Sequence, residues 1–243
     1  QHRAWSRHRD CAPRQNGSTA SPAGDAVRRL WSLERSAQIE HQARAWLRAG
    51  PMLYTRHGLL AALLAVDELR EPLGLRSESY MVAVPFARPG AADRPFTPIN
   101  DLTVATIVMP RRLLSSPADA DDELARQLTD YRNGGDQATW ALMQYAGWLR
   151  NGHYRLMLRK GRGVPPCSFG YTLYQVETDD ASCLGARIER FSATGLPTIP
   201  PGLMMTCTRF ARRWSLCCTF FPHIWPRPLV ERLTERVDFH LGA

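Results

Sequence analysis

Two runs decide how this chain folds: Gly58–Leu69, GLLAALLAVDEL, and the one that follows it, Tyr80–Phe86, YMVAVPF. In the first, Leu59, Leu60, Leu63, Leu64 and Val66 cover so wide an arc that a helix built from them must be central and buried. It extends from about Tyr54 to Leu69, and Pro72 and Gly74 end it. The second run reads as a strand. Its partner in kind, Leu102–Met109 (LTVATIVM), is rich in β-branched residues and reads as another. Between them Pro89, Pro95 and Pro98 break up an irregular segment. Neither strand alternates strictly, so both of its faces are expected to be covered.

Working outward, Ala26–Arg48 reads as a helix, with Leu30, Leu33, Ala37 and Ile39 on one stripe and Gly50-Pro51 stopping it. Residues 1–25 are basic or Ser/Gly/Pro-bearing without apolar periodicity, and read as a flexible arm or linker. On the other side, Ser116-Pro117 followed by Asp119, Asp121, Asp122 and Glu123 is a strong helix start. That helix turns Leu124, Leu128 and Tyr131 inward and stops at Asn133-Gly134. Asp136 caps a further helix through Trp140 and Leu149, and Gly161–Pro166 is a loop. Four strand-like runs follow: Ser168–Val176, Arg187–Phe191, Leu203–Phe210 and Trp214–Phe221. The last two are joined by a connection of hairpin length at Ala211-Arg212-Arg213. Pro226 and Pro228 open a final helix with Leu229, Val230, Leu233 and Val237 on one face. The order lacks strict βαβ alternation. The expected class is α+β: a mixed β-sheet with helices packed on it, as one lobe over residues 26–243.

Composition agrees with a globular domain. The 243 residues are 44% hydrophobic and 22% charged, which excludes wholesale disorder and fibrous repeats. No apolar run approaches the roughly 20 residues of a membrane-spanning helix. No apolar segment follows the basic N-terminus, so a cytoplasmic location is expected. The net charge is +8, yet all but Lys160 of the 31 Lys and Arg residues are Arg, and they are scattered. A solvated surface rather than a nucleic-acid groove is the expectation. The six Cys form no CxxC pair and match no zinc spacing, so no metal is expected and reduced thiols are. Cys217 and Cys218 are neighbours in a strand and should point to opposite faces. No GxSxG, Walker, HExxH or GxGxxG signature is present. His41 and His57 read as surface or capping residues of helices, and His223 as a turn residue.

One ordered set of features points further. Val84-Pro85-Phe86-Ala87-Arg88 closes the first strand, and Asn100 and Asp101 immediately precede the second. Ser168, Phe169, Tyr171 and Thr172 open a later strand, before the hairpin and the Pro-started helix. This order resembles the C-terminal half of the chloramphenicol-acetyltransferase-like acyltransferase superfamily. The resemblance covers about residues 45–241 and is nearest to condensation domains of nonribosomal peptide synthetases and to wax-ester-synthase-like enzymes. Those families carry "vPv..R" at the first strand and "sfsytG" at the later one. Here the Arg comes one residue early, and Leu173 stands where Gly is frequent.

The resemblance implies acyl transfer to an alcohol or amine. It implies no bound cofactor, and a donor that is acyl-coenzyme A or an acyl carrier-protein thioester. The family's base is the second His of an HHxxxDG motif, which takes the acceptor's proton. This sequence has no HHxxxDG and no adjacent His pair, so no catalytic residue is assigned in it. With Gln1 first, the expectation is a lobe inactive alone and partnered by an N-terminal lobe or chain, with a carrier protein as a further partner. The alternative is a non-catalytic relic or a basic interaction module. The channel or positioning candidates are Asn100, Asp101, Ser168 and Tyr171. Asn100 either donates to a carbonyl oxygen that gains charge during attack or caps the turn into the strand; an alternating β face also accounts for Ser168 and Tyr171. Of the rows Phe169/Tyr171/Leu173 and Tyr174/Val176, at least one is expected to lack a cover and to drive self-association.

Overall fold

A computed structural model describes residues 24–47, 49–50, 52–70, 78–87, 102–133, 168–176, 182–197 and 201–242. In chain order the elements are β1 (Asp25–Leu30), α1 (Leu33–Trp46), α2 (Leu53–Arg70), β2 (Ser79–Ala87) and β3 (Leu102–Pro110). A 3-10 turn (Arg111–Ser115) leads into α3 (Pro117–Arg132), β4 (Phe169–Val176), the short pair β5 (Ser182–Cys183) and β6 (Ala186–Arg187), β7 (Leu203–Phe210), β8 (Arg213–Phe220) and α4 (Arg227–Gly242). Six strands form one mixed sheet in the order β1-β8-β7-β4-β2-β3. The central neighbours β2, β4 and β7 run parallel, and the outer pairs β1/β8, β7/β8 and β2/β3 are antiparallel.

The helices lie on one face. There α2 buries Leu59, Leu63 and Val66 against Val82, Val84, Phe169 and Tyr171 of the sheet within one continuous core. Leu203, Met205, Cys207, Trp214, Leu216, Cys218 and Phe220 line the same face of β7 and β8. Burial at about 25 cal/mol per Å2 of apolar surface makes this the main stabilising layer. On the opposite face of β7 and β8, polar side chains hold an extended strap, residues 188–197. Thr208 Oγ1 accepts from Ala193 N and Thr206 Oγ1 from Gly195 N, both at 3.0 Å, while Thr219 Oγ1 donates to Gly195 O at 2.5 Å. Gly195 is required there, since a Cβ would come within 2.7 Å of Met204 Cγ. Cys218 faces the helices, and Cys217 faces Thr194 of the strap at 3.8 Å; both thiols are free.

Two elements differ from the sequence reading. Residues 25–30 form strand β1, not the start of a helix. Trp31 N donates to Trp214 O, continuing the ladder with β8, and Ser32 then caps α1 by accepting from Arg35 N at 3.1 Å. The Asp238 carboxylate of α4 locks this corner. It accepts from Trp31 Nε1 at 2.8 Å and from Arg35 Nη2 at 3.0 Å, and pairs with Arg29 at 2.5 Å. A partner strand and a distant carboxylate thus override a helical stripe. Residues 187–191 are likewise not one strand: Leu184-Gly185, both at positive φ, turn β5 into β6, and the strap follows. The helix expected from Asp136 lies outside the described residues.

Candidate functional site

The sequence candidates fall on two strands: Asn100 and Asp101 precede the edge strand β3, and Ser168 and Tyr171 belong to the start of the central strand β4. Strand β2 leaves the sheet at Ala87, and β3 returns at Leu102, directly opposite it in register. Asn100 and Asp101 precede that return; they lie outside the described residues.

Ser168 and Tyr171 are described, and both are buried. Ser168 fastens the start of β4 to β2. Its N–H donates to Met81 O at 2.6 Å, and its Oγ accepts from Met81 N at 3.3 Å. Met81 and Ala87 are six residues apart on β2, about 20 Å at strand rise, so Ser168 is at the far end of the strand from Leu102. Tyr171 lies opposite neither end. The register Val82↔Phe169 places it three residues short of Ala87, about 10 Å away. The structure therefore does not gather Ser168 and Tyr171 around the β2–β3 end.

The Tyr171 side chain points under α2. Its hydroxyl occupies the space that a Cβ at position 58 would need, so Gly58 is the residue that lets strand and helix meet. The hydroxyl has no hydrogen-bond partner of ordinary geometry. Burial, and then the Cys207 thiol, push the Tyr171 phenol far above its ordinary range. Burial also pushes the Cys207 thiol up to about 12, so it is a protonated core thiol and no nucleophile. Of the two rows named on β4, Phe169 and Tyr171 are covered by α2 and Leu173 packs on the same core, while Tyr174 of the other row is exposed.

His57 corrects its reading as a surface or cap residue: it is buried, with Nε2 3.1 Å from Leu241 O of α4. His41 is exposed on α1, and His223 sits in a turn with its ring 5.9 Å from that of Phe221. Next to His57, the buried Arg56 places Nη1 2.6 and 2.7 Å from the two carboxylate oxygens of Asp121, tying α2 to α3. Sequence reasoning had Asp121 only as a helix-start acid; nothing local marks its partner, 65 residues away. A second network closes the other end of α2. Tyr80 Oη donates to Asp67 Oδ1 at 2.5 Å, and Arg111 Nε donates to the same oxygen at 2.6 Å. These charges are used in holding elements together. Among the described residues no group of three or more His, Cys, Asp or Glu side chains could hold a metal ion.

This geometry has solved counterparts. The chain matches trichothecene 15-O-acetyltransferase from Fusarium sporotrichioides with a TM-score of 0.65 at 12% identity, over 92% of this chain and 48% of that one. It matches the condensation domain of the monacolin K polyketide synthase with a TM-score of 0.60 at 11% identity, over 94% and 49%. It matches the epimerization domain from the third module of tyrocidine synthetase B with a TM-score of 0.56 at 10% identity, over 98% and 53%. No family model and no curated protein matches by sequence. The fold is that of the condensation domains and chloramphenicol-acetyltransferase-like acyltransferases, and the chain spans about half the length of these solved neighbours. No helix among the described residues is long and apolar enough to cross a membrane.

Proposed function

We propose that the chain is the C-terminal portion of an acyltransferase or condensation-type enzyme that transfers an acyl group to an alcohol or amine. The observation that carries this is the asymmetry of the match: nearly all of this chain aligns with about half of a condensation-type chain. In the reaction, the acceptor's oxygen or nitrogen bonds to the acyl carbon, a base removes its proton, and the donor thiol leaves. The donor is an acyl-coenzyme A or an acyl carrier-protein thioester. The base is supplied from outside this sequence, which has no HHxxxDG motif. Asn100 and Asp101 are the positioning candidates on this side. An amide there would donate to the oxygen that gains charge, while Ser168 and Tyr171 hold the neighbouring strand.

A second reading is a non-catalytic interaction module. Arg28, which bonds the Thr194 hydroxyl, and Arg190 and Arg213, which line one hollow with Leu30, favour it. A turnover assay of this chain, with acyl-coenzyme A donors and amine or alcohol acceptors, tests the first reading. The expected result is no transfer. Robust turnover that disappears on replacing any one of the seven His would overturn it, because the base would then lie within this sequence.

A further inference from the structure

The two edges of the sheet are built differently. At the β3 edge, α3 takes the place of a strand. Gln127 accepts from Val108 N at 2.9 Å and donates to Val108 O at 2.7 Å, and Tyr131 Oη donates to Thr106 O at 3.2 Å. Outward backbone groups of Val108 and Thr106 are thereby used, which blocks strand addition along that part of the edge.

The β1 edge has no such seal among the described residues. Trp31 N bonds β8, so in an antiparallel ladder the odd-numbered residues face β8 and Ala26, Arg28 and Leu30 turn their N–H and C=O outward. One of these groups is used locally, Ala26 N donating to Asp25 Oδ1 at 2.7 Å. The side chains of Arg28 and Leu30 are exposed, Leu30 by 55%.

Charge says what this edge admits. Among the described residues Arg28 bonds the Thr194 hydroxyl, at 3.5 Å, and Leu30, Arg190, Phe191 and Arg213 line one small hollow at the end of the strand. Three cations thus stand beside the open edge, with no carboxylate facing them among the described residues. Antiparallel pairing of β1 with a second copy would set Arg28 near Arg28, and like charges across a strand pair repel. The edge is guarded against itself and complementary to an acidic strand.

We propose that β1 is a docking edge for an extended segment of a partner protein in which Glu or Asp alternates with apolar residues. The added strand pairs with the outward backbone groups of Arg28 and Leu30. Its carboxylates fall on the face that carries Arg28, Arg190 and Arg213. Its apolar residues fall on the helix side, beside the half-buried Val27 and between Asp25 and Arg29, whose charges are already paired with Arg227 and Asp238. This docking is independent of acyl transfer.

The test uses the full chain and a peptide of alternating Val and Glu as long as β1, with a Val/Lys peptide and oligothymidylate as controls. The Glu peptide should bind and slow hydrogen exchange at the Arg28 and Leu30 amides. Leu30→Pro removes an outward N–H without touching the β8 ladder, and should weaken binding at least about tenfold while leaving thermal melting intact. Arg28→Glu should reverse the preference toward the Lys peptide. Should Leu30→Pro unfold the chain, the exchange readout and Arg28→Glu decide alone. Equal binding of the Lys peptide, unchanged binding by a folded Leu30→Pro variant, or oligothymidylate binding that matches the Glu peptide would each overturn the proposal. The last result would mean that loose cations rather than a strand edge do the binding.

Discussion

At the scale of single residues, His57 shows what burial does to a titrating group. The neutral ring donates from Nε2 to Leu241 O, and desolvation holds its pKa below the ordinary 6.5 despite that carbonyl's opposite pull. The sign follows from proton counting: below about pH 6.5 the unfolded chain protonates this His while the folded chain does not, so stability falls with acidity. His240, also lowered by burial against the pull of Glu68, adds to the same slope. We expect urea midpoints to drop between about pH 6.5 and 5 and His57→Gln to flatten part of that drop. Midpoints of the wild-type chain that stay level across this window would show that the ring is not buried neutral. Little of this was legible in sequence. A His at the start of a helix reads as exposed until one sees that α2 is buried all round, with α4 over this end. The Arg56–Asp121 pair was illegible for a related reason. Each residue has an ordinary local explanation, and only the packing of α2 on α3 joins them.

At the scale of elements, the β7–β8 hairpin carries a strained turn. Its two linking residues are Ala211 at φ 46° and Arg212 at φ 59°, both left-handed and neither glycine. Two positive φ values in a two-residue loop match the twist of the flanking strands and favour Asn-Gly. Replacing Ala211→Asn together with Arg212→Gly should therefore raise stability by about 1 kcal/mol, read as a melting temperature a few degrees higher. An unchanged or lower melting temperature would show that the strain is already relieved elsewhere. The hairpin itself was legible, because two β-rich runs stood one short connection apart. So were α2, and α3 with its Ser116 cap and Pro117 in the first turn. β1 and the strap were not. Both are extended segments held by distant partners, Trp214 and Asp238 for the first corner and the Thr206, Thr208 and Thr219 hydroxyls for the second. At β1 the stripe continuing into α1 read as helix and hid the strand, and the strap carries no period that matches its distant partners.

At the scale of the whole molecule, the question is which surface is left for a partner. The helix face is closed by its own core, so the apolar row Phe169/Tyr171 offers nothing. On the far face, Tyr174 is 43% exposed, and Leu196 on the outer side of the strap is 86% exposed. Exposed apolar side chains gathered on one face mark an interaction surface more often than they mark chance. As the proposed portion of a condensation-type enzyme, the chain calls for such a surface. We therefore expect this protein to self-associate at high concentration through that face, seen as a concentration-dependent rise in sedimentation coefficient. The β1 edge should not contribute, since Arg28 opposes its own copy there. Added sulfate separates the causes: apolar contacts persist or strengthen in it, whereas association through arginines to an anionic contaminant weakens as salt screens the charges. Leu196→Ser with Tyr174→Ser should return the chain to a monomer with little change in melting temperature, because Leu196 is exposed and Tyr174 stands on the sheet face away from the helix core. A wild-type chain that sediments as a clean monomer at high concentration, in low and in high salt, would show that this face needs no cover and would count against a missing lobe.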